Sequence, residues 1–76
     1  MDVCFLHSKT PEDCRKVCDG AEYCGAFTWD HFSHACYLKK RLGWTARHYK
    51  GAVSGYPNGY SFFKDTTFLG GAVPNC

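Results

Sequence analysis

The chain has 76 residues, six of them cysteines, and a formal net charge of +2. This length predicts a single domain over residues 1–76, the modest charge argues against nucleic acid as a partner, and no apolar stretch is long enough to span a membrane. The even cysteine count predicts three disulfides formed in an oxidising compartment, because a core this small supplies little stability by itself.

The first element is a short helix predicted over residues 10–20. Thr10 is the expected N-cap, Pro11 takes the first helical position, and Gly20 ends the helix as the C′ residue. The chain before it begins Met1-Asp2-Val3-Cys4 and shows no signal peptide. We therefore interpret Met1 as an expression start and the chain as a mature or excised module.

The rest of the chain is predicted to be β-rich. Strands are expected at residues 25–30, 35–40, 51–56 and 60–68. A turn at 31–34 joins the first two, and residues 41–50 show no clean period and are predicted to form a long loop. Pro57-Asn58-Gly59 favours a type I′ hairpin between the last two strands, and Gly70-Gly71 would end the final strand.

The positions of the helix cysteines indicate which elements they can bond to. Cys14, Val17 and Cys18 lie at i, i+3 and i+4, so they share one face, which must meet the core. Short-loop geometry favours bonds from these two cysteines to the first two strands, and leaves the outermost pair to join the chain ends. Six cysteines permit many connectivities, so the sequence alone leaves the pairing open.

A set of motifs in residues 10–56 resembles the PAN/apple module family. They are the C-x3-C-x5-C run from Cys14, then AFTW, ACYLK and GAVSGY. The resemblance implies an α+β fold, with one short helix packed on a curved antiparallel sheet of about five strands. It also implies nested disulfides, Cys18–Cys24 inside Cys14–Cys36, with Cys4–Cys76 tying the termini.

The chain departs from the family pattern at both ends. Cys4 precedes Cys14 by only ten residues, and twenty residues follow Tyr56. Those twenty contain YSFFKDTTFLGG, which looks like the family's missing first strand. We hypothesise a circularly permuted order, in which Pro57-Asn58-Gly59 joins the old first and last strands; close termini make such rearrangement easy. The alternative is that the tail belongs to the next repeat of a tandem array.

Catalytic and metal chemistry find little support. The cysteines lack the paired C-x2–4-C knuckles of structural zinc sites, and an even count in a bridging pattern leaves no spare nucleophilic thiol. Val53-Ser54-Gly55 is not part of a nucleophile elbow. The sequence therefore predicts no metal, no cofactor and no enzymatic activity.

A basic and aromatic segment, LKKRLGWTARHYK at residues 38–50, is the candidate contact surface. Aromatic rings offer flat apolar faces, and neighbouring Lys, Arg and His donate hydrogen bonds, so the segment suits a sugar or a protein. The ordinary interpretation is a solvated basic loop over a small satellite core around Trp44. The candidate ligand-binding residues are Lys39, Lys40, Trp44, Arg47, His48 and Tyr49.

Other aromatic and imidazole side chains have simpler interpretations. Phe27, Trp29, Leu38, Val53 and one face of Tyr60–Phe68 are predicted to lie in the core. His31 and His34 are predicted to be ordinary surface histidines. Neither group adds a candidate site.

The family resemblance implies a secreted, non-catalytic recognition module, either a monomer or part of a larger protein. Apple modules of adhesins and lectin-like proteins bind carbohydrate, whereas those of zymogen-like and growth-factor-like proteins bind protein partners. We lean to carbohydrate binding and adhesion, with protein–protein interaction as the alternative. A small inhibitory or toxin-like disulfide protein is a third hypothesis.

Overall fold

The computed structural model describes residues 5–58 and 62–72, and the described part forms one helix and one four-stranded sheet. In chain order the elements are β1 (Phe5–His7), α1 (Pro11–Asp19), β2 (Ala26–Asp30), β3 (Ala35–Gly55) and β4 (Phe63–Ala72). The predicted α+β class is confirmed, although the described part has four strands rather than about five.

The helix begins where the sequence predicted. The Thr10 hydroxyl oxygen accepts a hydrogen bond of 3.2 Å from the backbone N–H of Asp13, and Pro11 fills the first helical position. At the other end the prediction is off by one position. Gly20 is the C-cap itself, with a right-handed φ of −82°, rather than the following residue in a left-handed conformation.

Strand β2 lies between the two ends of β3, at the centre of the sheet. Trp29 pairs with Cys36 on one edge and with Val53 on the other. At both edges the paired residue numbers of β3 decrease as those of β2 increase. Helix α1 covers one face of β2, and β4 lies against the other, where the Phe68 N–H donates to Thr28. Thr28 is consequently as buried as Trp29, although the alternating sequence had predicted a half-buried strand.

The predicted loop at residues 41–50 is wrong, because this segment is part of β3. Residues 44–48 pair antiparallel with residues 66–70 of β4, and we call this two-stranded segment the ribbon. Gly43 and Gly51, both with positive φ, lie on either side of the paired segment of β3. Most side chains of β3 in the ribbon are exposed, whichever face of the strand they lie on. The sequence there therefore lacks the alternation of apolar and polar residues by which a strand is predicted.

The predicted pairing of the last two strands is confirmed. Val53 pairs with Lys64 and Ser54 with Phe63 in antiparallel register. Strand β4 continues through Gly70-Gly71, where the sequence had predicted its end. The permuted order requires this strand pairing and the tandem-repeat alternative permits it, so both stay hypotheses. The type I′ turn depends on residue 59, which lies outside the described residues.

Two disulfides fasten α1 to the strands. Cys14–Cys36 connects the helix to β3 with a Cα–Cα distance of 5.5 Å, and Cys18–Cys24 connects it to the segment before β2 at 5.3 Å. These two predicted pairings are confirmed. The third, Cys4–Cys76, involves residues outside the described part of the chain.

The core lies where the disulfides meet the sheet. Phe27, Trp29 and Leu38 are buried there as predicted, and Val53 packs against them while partly exposed. Val17 is the exception, because its side chain is exposed although it was predicted to face the core with its neighbouring cysteines. The described residues contain no helix that is long and apolar enough to cross a bilayer.

Candidate functional site

The six candidate ligand-binding residues lie along β3, on and beside the ribbon. Most of them are open to solvent, but Trp44 is half-buried and the Lys39 side chain is only 8% exposed. The exposed members are Lys40, Arg47, His48 and Tyr49.

The ribbon separates these residues instead of collecting them into one patch. Ala46 and Phe68 are directly opposite each other and line the same hollow as Trp44. Arg47 is the next residue along β3 and pairs with Thr67, which lines a different cleft. Successive side chains of a strand point to opposite faces, so Arg47 lies on the other face from Ala46.

One face of the ribbon carries an aromatic cluster. We use this name for Trp44, Tyr56, Phe63 and Phe68. The rings of Trp44 and Phe68 stack with centroids 4.0 Å apart and planes 17° from parallel. Tyr56 meets Phe63 edge to face at 5.9 Å and lies 6.1 Å from Trp44. The edge-to-face contact between Tyr56 and Phe63 is one of the favourable arrangements for aromatic rings.

The cluster borders a hollow of about 150 Å³, completed by Ala46 and Thr66. The Trp44 indole N–H does not face this hollow as a free donor, because it donates to the Lys40 carbonyl at 2.9 Å. Tyr56 and Phe63 are 42% and 44% exposed, so their rings are accessible. The hollow thus offers apolar ring surface together with the hydroxyl groups of Tyr56 and Thr66.

A second opening, which we call the Lys39 cleft, has a volume of about 410 Å³. It lies between β2, the first half of β3 and β4. Burial lowers the pKa of the Lys39 ammonium from its ordinary value, because the charged form loses solvation. The lining residues are Thr28, Tyr37, Lys39 and residues 67–70.

The cysteines in the described part of the chain have no free thiol groups. Cys14, Cys18, Cys24 and Cys36 are all disulfide-bonded, so none supplies a thiolate for nucleophilic attack or for zinc. Over residues 5–58 and 62–72, no group of three or more His, Cys, Asp or Glu side chains is placed to hold a metal ion.

The comparison with family models agrees with the helix, the sheet and the disulfide pairing. The model described as the PAN domain matches residues 2–60. The chain belongs to the PAN domain family. PAN domains are modules of protein and carbohydrate interaction, generally non-catalytic, and their disulfide-rich members are typical of extracellular proteins. No curated protein and no solved structure matches the chain.

The sequence indicated only one member of this PAN module's aromatic cluster. Trp44 lies in the predicted basic and aromatic contact segment, whereas Tyr56 and Phe63 flank a predicted hairpin and are not among the predicted site residues. The Asn-Gly hairpin signal could have found them, because it predicts that residues on either side of the turn become cross-strand neighbours. Tyr49, which was chosen, makes no ring contact with the cluster among the described aromatic pairs.

Proposed function

We propose that this PAN module is a secreted, non-catalytic recognition module that binds carbohydrate and serves in adhesion. The aromatic cluster is the proposed contact surface. The observation that carries the proposal is the exposure of Tyr56 and Phe63 beside the Trp44–Phe68 stack, around a hollow of about 150 Å³.

The chemistry of a sugar suits this surface. One face of a pyranose ring presents C–H groups and packs flat against an aromatic ring, while its hydroxyl groups need polar partners at the edge. Tyr56 can give and accept hydrogen bonds through its phenol group. Thr66 already donates its hydroxyl proton to the Lys64 carbonyl, so its oxygen remains an acceptor.

A glycan array tests the proposal, followed by affinity measurements on variants of the exposed rings. Tyr56→Ala and Phe63→Ala are expected to reduce binding at least tenfold while leaving the thermal midpoint close to that of the wild type. Tyr23→Ala is the matched control, because Tyr23 is exposed to a similar degree, 46%, and does not line the hollow. An array without signal, or an equal loss in the Tyr23 variant, would contradict the proposal.

A protein ligand is the second candidate, and two exposed aliphatic side chains favour it. Leu42 is 83% exposed, and Leu69 is exposed on β4 near the same end of the ribbon. A sugar gains little from isolated aliphatic side chains, whereas a protein partner would bury them with neighbouring rings. A blank array together with a defined partner, whose affinity falls in Leu42→Ser and Leu69→Ser variants, would favour this function.

A further inference from the structure

Lys39 is an unusual lysine, because its side chain is largely buried and has no anionic partner among residues 5–58 and 62–72. Its side chain is 8% exposed, and its nearest recorded interaction is with the Tyr37 ring, 5.8 Å from the ammonium nitrogen. In the described part of the chain, no carboxylate lies within ion-pair distance of this nitrogen. Lysine is rarely this buried unless it is paired.

Such burial is unfavourable unless something compensates for the lost hydration. An ammonium group that loses part of its hydration without gaining a counter-charge is destabilised. The lowered pKa of Lys39 has this cause. A negative group entering the cleft would supply the counter-charge, so the cleft is best suited to an anion.

The cleft has room for more than an acidic side chain or an inorganic ion. Its volume of about 410 Å³ falls in the range of small-molecule sites. The Tyr37 ring forms part of the wall, and Thr67 adds a hydroxyl group that makes no hydrogen bond within the described part. A ring with its own hydroxyl groups would use both features, whereas a carboxylate on a flexible side chain would leave most of the space unfilled.

The charge of the cleft limits the ligand to one anionic group at this point. Among the described residues that line the cleft, Lys39 is the only cation. Lys40, Arg47 and Lys64 are exposed and are not part of the lining. A groove for a densely sulfated chain would need a row of cations along its length, so a single lysine ammonium fits a sugar that carries a single acid.

We propose that the Lys39 cleft binds the anionic group, a carboxylate or a sulfate ester, of an acidic sugar. The site is distinct from the hollow beside the aromatic cluster, although Phe68 borders both. The inference rests on the proposed carbohydrate function for the identity of the ligand. The need for a negative charge at Lys39 does not depend on it.

The test compares D-glucuronate and D-glucose 6-sulfate with neutral D-glucose at constant ionic strength, by NMR titration of the full chain. We expect at least one acid to bind tenfold or more tightly than glucose, to shift the Lys39 side-chain resonances and to raise the pKa of Lys39. The two acids distinguish a carboxylate from a sulfate ester. Equal binding of all three sugars, or no response at Lys39, would overturn the proposal.

Two variants distinguish binding in the Lys39 cleft from a general effect of positive surface charge. Lys39→Met keeps the aliphatic stem and is expected to abolish the preference for the acid, whereas Lys64→Met, which removes an exposed lysine outside the cleft lining, should retain it. Equal losses in both variants would contradict a site at Lys39.

Shifts at Tyr56 and Phe63 with neutral glycans, but none at Lys39 with either acid, would contradict this inference alone. A response confined to Lys39 would contradict the proposed aromatic contact surface and leave the cleft standing.

Discussion

The hydroxyl oxygen of Thr28 accepts a hydrogen bond of 3.0 Å from the backbone N–H of Phe68, 40 residues further along the chain. The same hydroxyl group is 2.8 Å from the Ser54 hydroxyl, which in turn donates to the Thr66 carbonyl at 2.7 Å. This buried chain of polar groups joins β2, β3 and β4. It also forms the wall between the core and the Lys39 cleft, which Thr28 and Phe68 both line.

Removal of the Thr28 hydroxyl group is expected to destabilise the fold. In Thr28→Val the Phe68 N–H loses its acceptor in a buried environment, so the free energy of unfolding should fall by about 1–3 kcal/mol. Urea denaturation measures the change. Thr28→Ser is the control, because it keeps the hydroxyl group and removes only a methyl; a Val variant as stable as the Ser variant would contradict the role assigned to this bond.

The Trp44–Phe68 stack is expected to hold the ribbon together. Trp44→Ala removes the stacked ring and the indole hydrogen bond to the Lys40 carbonyl, and should lower the free energy of unfolding by about 2 kcal/mol. Leu42→Ala, a truncation of a highly exposed neighbour, should change it by less than about 0.5 kcal/mol. Equal effects in the two variants would mean that the stack contributes nothing.

Local signals in the sequence were enough to predict the helix and its attachment. Thr10 and Pro11 mark the start of α1 by chemistry that acts within one turn, and the spacing of Cys14 and Cys18 places both on one face. The family resemblance then supplied their partners. These features depend on neighbours a few residues away or on a pattern shared with other proteins.

The ribbon and the Lys39 cleft could not be predicted in the same way, because they depend on long-range register. Residues 44–48 become a strand only because residues 66–70 pair with them, and neither segment has a buried face that alternates clearly. In the sequence, Lys39 is one of several basic residues in the predicted contact segment. Its burial follows from β4 passing close to β2, a contact that no local pattern specifies.

The two observed disulfides are expected to contribute unequally to stability. Cys14–Cys36 spans 22 residues and Cys18–Cys24 spans 6, so chain-entropy estimates are about 3.4 and about 2.4 kcal/mol. The paired replacement Cys14→Ala with Cys36→Ala should therefore lower the urea midpoint more than Cys18→Ala with Cys24→Ala. The reverse order would show that local packing, and not loop closure, decides their contribution.

Full reduction should unfold the module or nearly so, as near-UV circular dichroism would show.

The lowered pKa of Lys39 predicts how the free energy of unfolding depends on pH. Its pKa is lowered in the folded protein, whereas in the unfolded chain it has the ordinary value of about 10.4. Between these two pKa values the unfolded chain binds more protons than the folded one, so the contribution of Lys39 to stability becomes less unfavourable as the pH rises. Below the lowered pKa both states are protonated, and the full penalty for burying the charge applies.

Lys39→Met removes this penalty and keeps most of the packing of the stem. The variant should therefore be more stable than the wild type at pH 7, and the difference should shrink as the pH rises through the window between the two pKa values. Urea denaturation of both proteins across that range gives the difference directly, with Lys40→Met as the control because Lys40 is exposed. A difference that does not change with pH would mean that packing, and not the charge of Lys39, separates the two proteins. A less stable Met variant would mean that Lys39 gains more from the Tyr37 ring than it loses in hydration.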